Sequence, residues 1–480
     1  MKKRYYISLL ATALIWGAGC NKIDDFGNVN KDPNGISTPI PSALLTNVEA
    51  GIANFAARND VAINGAQYAQ YFSETQYSNT SLYSLPQISF TGYYSGSLYD
   101  LQNIINLNQS NNAVQVAKIL QQYIFWTITD AWGDVPYSEA LKGISAITPK
   151  YDKQEDIYKG ILATLTSAVA SFDNTSAIAG DVIYNGDVAS WKRAANSLKL
   201  LVALQLSKKV PASSGYAATA VKEAIAANGG LITENSQNFD VNFPGGNYKS
   251  EWWNFYNGRK DYAESKTVTD ITNSLNDTRQ NAFGGSSEIS GSTGSSNVGV
   301  PYGLARNSAI AFTDANTNWA RVLRGDLRTE TGTVSMITAG EVLLARAEAA
   351  NIGWTTESSN DMYRQGIAKS FEQWGYTVTD TYLNQSGVNL SSGNAYNKII
   401  LQRYLASYPD GHMAWDIWRK TGIPSLTPAP DATNSSKKIV RRFTYATSEY
   451  NTNGANVREA VARIPGGDTQ DSRVWWDQNN

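Results

Sequence analysis

Apolar residues return at intervals of three and four over much of this chain, the spacing of helices that bury one face. Val116, Ile119, Leu120, Tyr123, Ile124 and Thr127 predict a buried helix over 114–130. Ile157, Ile161, Leu165, Ala168 and Phe172 mark a second, whose start at Asp152-Lys153-Gln154-Glu155 resembles a capping box. Trp191, Ala194, Ala195, Leu198, Leu201 and Val202 line one face of a third, capped by Asp187 or Ser190. A further helix over 216–228 ends at Gly229-Gly230. Thr338 caps the next, over 342–352, with Glu341 at the capping-box position. Tyr363, Ile367, Phe371 and Trp374 give it a partner, and 397–420 is a last helical block broken at Tyr408-Pro409-Asp410-Gly411. Before them all, Ser42 caps a helix over 43–57. Strict alternation is scarce, so strands should be few and short. The predicted fold is mainly α, with paired helices shaped like tetratricopeptide hairpins.

Between these blocks the pattern is polar but rich in rings. Over 67–99, Tyr71, Tyr77, Tyr83, Tyr93 and Tyr94 are interleaved with Ser, Thr, Asn and Gly, which is loop chemistry and a first candidate ligand surface. Glu251-Trp252-Trp253-Asn254-Phe255-Tyr256 is the second, with Asn254 and Arg259 as polar partners. Adjacent tryptophans outside an amphipathic pattern are hard to bury together. The stretch 283–300 is Gly/Ser-rich and expected to be a flexible excursion. The tail after 424 reads as loop-rich. Gly133 and Pro136 make a rigid turn of Asp130 to Tyr137, whose carboxylates are expected to satisfy backbone donors.

The N-terminus changes the picture. Lys2-Lys3-Arg4, an uncharged apolar run from Tyr5 to Trp16, and Gly17-Ala18-Gly19 are ordered as an export signal over 1–19. Cys20 follows at once and is the only cysteine in 480 residues, the arrangement of a lipidated N-terminus; Gly17 stands where such motifs usually carry Leu. Residues 20–41, with Pro33, Pro39 and Pro41, are expected to form a polar tether, leaving 42–480 as a single domain. A net charge of −2 argues against nucleic acid as partner. The 27 Tyr and 13 Trp suit surfaces that are apolar on one side and wet on the other, as in stacking on sugars. One histidine, His412, and one cysteine exclude cysteine-built metal sites and leave at most one His ligand for zinc. His412 reads as a structural residue in a loop before a helix. Neither a P-loop nor a dinucleotide fingerprint is present.

Four blocks then fall into a recognisable order: Asn28-Val29-Asn30-Lys31-Asp32-Pro33-Asn34; Thr129-Asp130-Ala131-Trp132-Gly133-Asp134-Val135-Pro136-Tyr137-Ser138-Glu139-Ala140; Arg346-Ala347-Glu348-Ala349 with Gly353-Trp354; and Trp415-Asp416-Ile417-Trp418-Arg419-Lys420-Thr421-Gly422-Ile423-Pro424. With Ala194-Ala195-Asn196-Ser197-Leu198-Lys199-Leu200 and the exported cysteine, the chain resembles the SusD/RagB nutrient-binding outer-membrane lipoproteins. It departs from them at Ala446, where a proline is expected. The resemblance implies four tetratricopeptide-like helix pairs under a loop-rich ligand face, no catalysis and no cofactor or metal. It also implies a partner, a SusC-like TonB-dependent barrel that the lipoprotein covers as an outward-facing lid. Cargo would be oligosaccharide, in preference to oligopeptide. Two other readings stay open at this point: a surface hydrolase using Asp130 and Asp134, and a helical-repeat assembly scaffold without a small ligand.

Overall fold

The computed structural model describes residues 39–84 and 87–478, so Cys20, the signal and most of the tether lie outside the described residues. The periodic blocks become four helix pairs: Asn111–Trp132 with Gln154–Ser171, Val188–Gln205 with Tyr216–Ala226, Ala339–Asn351 with Ser359–Gln373, and Ala395–Ala406 with Gly411–Thr421. Each pair packs on the next: Gln154–Ser171 meets Val188–Gln205, which meets Ala339–Asn351, which meets Ala395–Ala406. The Asn111–Trp132 helix is buried along nearly its whole length, because its apolar and small residues occupy every face. Ser110 caps it, accepting the Ala113 N–H at 3.3 Å, and Gly133 stops it at φ 91°, a left-handed value glycine adopts without strain. Asp187 is the cap of the third helix, accepting from the Ala189 and Ser190 N–H groups.

Helix Gly411–Thr421 packs on helix Asp60–Tyr68, which in turn touches Asn111–Trp132, and so the last pair returns to the first. Two glycines allow this approach. A Cβ on Gly411 would stand 1.9 Å from the Ala62 carbonyl oxygen, and one on Gly65 would stand 2.5 Å from that of Gly411.

Strands are minor, as the pattern predicts. Among the described residues there are three two-stranded antiparallel ladders: Phe72–Glu74 with Tyr262–Glu264, Phe239–Val241 with Val334–Ile337, and Gly284–Gly285 with Arg321–Val322. Short elements and turns between the second and third pairs make up the loop-rich part. Its Gly/Ser-rich stretch has close backbone neighbours: a Cβ on Gly284 would meet the Ser296 carbonyl at 2.2 Å, and Ser296 N–H donates to Gly284 O at 2.8 Å.

Several local expectations need correction. The first helix runs Pro41–Ile52 and restarts at Asn54. Lys153, at the N-cap of helix Gln154–Ser171, supplies no side-chain cap, and the Asp152 carboxylate accepts the Tyr137 and Ser138 N–H groups at 3.0 and 2.7 Å instead. His412 is the second residue of a helix, not part of a loop. The tail carries a helix, Thr447–Ala462, and Ala446 precedes it at φ −67°, a value proline shares, so the departure from the family pattern leaves the turn unchanged.

Candidate ligand-binding site

The ladder Phe72–Glu74 with Tyr262–Glu264 joins the two aromatic stretches. Its register, Glu74 opposite Tyr262, lays the loop after the first strand beside the loop before the second, and Thr75 N–H donates to Asp261 O at 2.9 Å. Tyr77 stands on the first loop with 54% of its surface exposed. The guanidinium of Arg306, at the start of helix Arg306–Ala315, lies 5.5 Å from its ring centroid. Arg259, exposed on the second loop, which the ladder lays beside the loop of Tyr77, donates from Nε to Asp261 Oδ2 at 2.6 Å. The product is an accessible ring with cationic donors and a carboxylate acceptor around it. An apolar sugar face can stack on such a ring while its hydroxyls bond the charged groups.

Other candidate rings do different work. Tyr71, Tyr83, Trp252 and Tyr256 were expected at an exposed surface and are buried. The Tyr71 hydroxyl donates to the Tyr404 carbonyl, Tyr83 accepts the Ala429 N–H at 2.9 Å, and Tyr256 donates to Tyr262 O at 2.8 Å. Each ring thus docks its own loop, with the polar end satisfied inside. Tyr93 is half-buried against Phe55. Tyr94, also half-buried, donates to the Pro136 carbonyl at 2.6 Å, tying the first aromatic stretch to the acidic turn. The adjacent tryptophans part company: Trp252 is buried, whereas Trp253 is half-buried beneath the Lys249 ammonium, 4.0 Å from its ring. Asn254 donates to Glu251 at 3.3 Å.

The acidic turn is structural. Asp134 accepts the Gln154 N–H at 2.8 Å and the Arg463 guanidinium at 2.6 Å. Tyr137 donates to Gln122 at 2.8 Å and packs on Phe125. Asp130 accepts from the Trp476 indole at 2.8 Å and from the Tyr158 hydroxyl. Its second oxygen lies 3.6 Å from Nε2 of His412, which is 3.2 Å from Asp416, and Arg419 completes the cluster on Asp416. Ligand atoms of Asp130, His412 and Asp416 fall within 4.8 Å of one another, close enough to hold a metal ion. The same spacing suits an imidazolium set between the two aspartates, with Arg419 on the far side of Asp416. Burial disfavours the imidazolium, but Asp416 and Asp130 prevail and raise His412 to about 10. Burial, then the Asp416 charge, push Asp130 well above the usual carboxylate range.

Sequence reasoning missed Arg306 and Asp261, which carry no periodic or motif signal, and it missed a cavity of about 510 Å³ against which Trp252 stands. Glu341, Asp410, Asp240 and Trp374 also line that cavity.

Stacked helix pairs under a loop face with an open aromatic patch define a helical-repeat binding scaffold. Residues 33–446 match the SusD-like family described as "Starch-binding associating with outer membrane", and the chain belongs to that family. Its members are binding proteins, not enzymes, associated with the outer membrane. Among solved structures, a chitin-binding protein shares 25% identity at a TM-score of 0.77, covering 91% of this chain and 100% of its own. A chitin-binding SusD homologue from Flavobacterium johnsoniae shares 23% at 0.76, over 91% and 98%. A SusD homologue from Bacteroides vulgatus shares 20% at 0.78, over 92% and 98%. No curated protein matches the sequence. Among the described residues no helix is long and apolar enough to cross a membrane.

Proposed function

We propose that this protein is a lipoprotein, acylated at Cys20 after removal of 1–19 and tethered by 20–41, whose domain captures oligosaccharide on the Tyr77 face. As a lid it would deliver the sugar to a SusC-like TonB-dependent barrel. The observation that carries the ligand assignment is the open Tyr77 ring with Arg306, Arg259 and Asp261 around it. Membership of an outer-membrane-associated binding family and likeness to two chitin-binding proteins support the same reading.

Calorimetry of the purified protein against chitin and starch oligosaccharides tests the ligand. Binding of one of them is expected, weakened about fivefold by Tyr77→Ala, since a stacked ring is worth about 1 kcal/mol. Absence of binding to either series, with binding to a peptide pool, would replace sugar by peptide as the cargo. Solubilising the outer membrane and retrieving this protein tests the partner: a large barrel should come with it, and its absence overturns the lid role.

A further inference from the structure

The cavity beside Trp252 lies between the third and fourth helix pairs and the loop-rich part, and none of Tyr77, Arg259, Asp261 or Arg306 lines it. Its volume of about 510 Å³ is in the range of small-molecule sites. The walls are one-sided in charge: Asp240, Asp326, Glu341, Glu372 and Asp410 are carboxylates, and no Lys, Arg or His lines it. Asp326 is paired with Arg324 and Glu372 with Lys369. Glu341 and Asp410, 3% and 7% exposed, are not so paired, and Glu341 Oε1 and Asp410 Oδ2 are buried without a hydrogen-bond partner. Asp240 Oδ1, Ser407 Oγ and the Trp374 indole nitrogen share that condition.

Buried polar atoms are ordinarily satisfied, so several orphans around one void mark a place where something polar belongs. The carboxylate excess selects its charge. Burial, then the Asp410 charge, raise Glu341 to about 8 against Arg403 and His412, and burial raises Asp410 to about 7 against His412. The cations that act on them from the core, Arg403 and His412, do not offset burial, and no Lys, Arg or His lines the cavity side. Geometry selects its size. Among the described residues, three-fold convergence of carboxylate or imidazole atoms within 4.8 Å occurs at Asp130, His412 and Asp416 and not here, so one bare metal ion is not cradled. Trp252, Trp374 and Tyr408 supply aromatic walls suited to the body of an organic cation. Exposed Thr331 and Thr333 on the lining give access from solvent.

We infer that this cavity is a second ligand site, which takes a small organic molecule through a primary ammonium group held by Glu341 and Asp410. The ammonium donates to the two orphan carboxylate oxygens and the carbon body lies against Trp252 and Trp374. A diamine or polyamine and a free amino sugar share this chemistry.

Calorimetry of the whole protein with spermidine, glucosamine, N-acetylglucosamine and calcium chloride tests the assignment. Spermidine or glucosamine should bind, and whichever does identifies the source. Glu341→Gln and Asp410→Asn, the latter keeping an acceptor for the helix cap, should each weaken that binding at least tenfold. Thr331→Trp, at an exposed rim position, should block access and give the same loss if the buried variants fail to fold, with an unchanged urea midpoint as its control. No heat with either amine, or amine binding indifferent to all three variants, overturns the inference and leaves a solvent-filled cavity. Calcium binding abolished by the same variants overturns it in favour of a metal site. N-acetylglucosamine binding as tightly as glucosamine, with the same variant dependence, shows a neutral site instead.

Discussion

The chain's only histidine is an internal reporter of the charge cluster that joins the first and last helix pairs. His412 is fully buried, yet Asp416 and Asp130 outweigh burial and raise it from its ordinary 6.5 to about 10. A group raised in the folded state binds protons that the unfolded chain releases, so its contribution is complete below pH 6.5 and is lost as pH rises through 10. The slope is roughly 1.4 kcal/mol per pH unit, about 5 kcal/mol across the window as an upper bound. Lys420 works in the opposite sense. Burial lowers it to about 8 despite Glu348, so that stability gains as pH rises from 8 to its ordinary 10.5. The two therefore mask each other in a raw stability profile.

His412→Gln separates them. The quantity to measure is the difference in urea-unfolding free energy between wild type and variant at pH 6 to 9.5, from which the Lys420 contribution cancels. That difference should be several kcal/mol at pH 6 and shrink steadily with rising pH. In parallel, untagged protein labelled at histidine Cε1 gives one imidazole carbon resonance, which should stay in its protonated position past pH 8. A resonance titrating at or below 6.5, with a pH-independent stability difference, would mean that burial wins over the two carboxylates and would refute the reasoning.

Three further outcomes follow from the packing. Glu348→Gln leaves Arg403 and Lys420, both buried against Glu348, without their counter-charge, and should cost about 3–5 kcal/mol in urea unfolding. Trp252→Ala should cost about 3 kcal/mol, as for other buried large-to-small changes, whereas Tyr77→Ala should stay within about 0.5 kcal/mol because its ring is open to solvent; equal effects in thermal unfolding would contradict the assigned burial. Gly411→Ala forces a methyl group onto the Ala62 carbonyl and should destabilise by at least about 1–3 kcal/mol, read from the same unfolding curves.

The helix pairs were legible because each has a dense apolar stripe, and a stripe is evidence of burial that needs no partner to be known. Thr447–Ala462 was not legible for the converse reason. Its buried positions are Glu449, Asn453, Val457 and Ala460, a face held by polar contacts such as Asn453 to the Pro149 carbonyl at 2.6 Å. The rings of the loops failed differently. Tyr71 and Tyr77 occur in the same polar context, and what separates them is a carbonyl at Tyr404, far along the chain, that one hydroxyl can reach. Which loop ring faces solvent is a tertiary property. The cavity is less legible still, since Glu341 reads locally as a capping residue and Asp410 as part of the break between two helices, the second of which it caps through its Oδ1. Only their unpartnered second oxygens set them apart.

The blocks that carry the family resemblance find a common physical basis in the buried charges. Lys420 of the Trp415–Pro424 block is paired at 2.7 Å with Glu348 of the Arg346–Ala349 block. Asp416 of the same block meets His412, which meets Asp130 of the acidic turn, and Arg419 donates to the Asp130 carbonyl at 2.7 Å while lying 3.7 Å over Trp415. Asn196 of the remaining block donates to the Asn228 and Gly230 carbonyls at 3.1 and 3.0 Å, closing the second pair. Arg279 then reaches from the loop-rich part into the third and fourth pairs, donating to Ser370 and Gln402 at 2.8 Å each while Asp277 neutralises it. Such networks add little net stability but penalise any other register heavily, because a shifted helix would strand a charge in the core. The recognisable residues therefore fix the platform. On the function proposed above, ligand choice falls to residues such as Tyr77 and Arg306, which lie outside these networks, so the motifs name the family without naming the cargo.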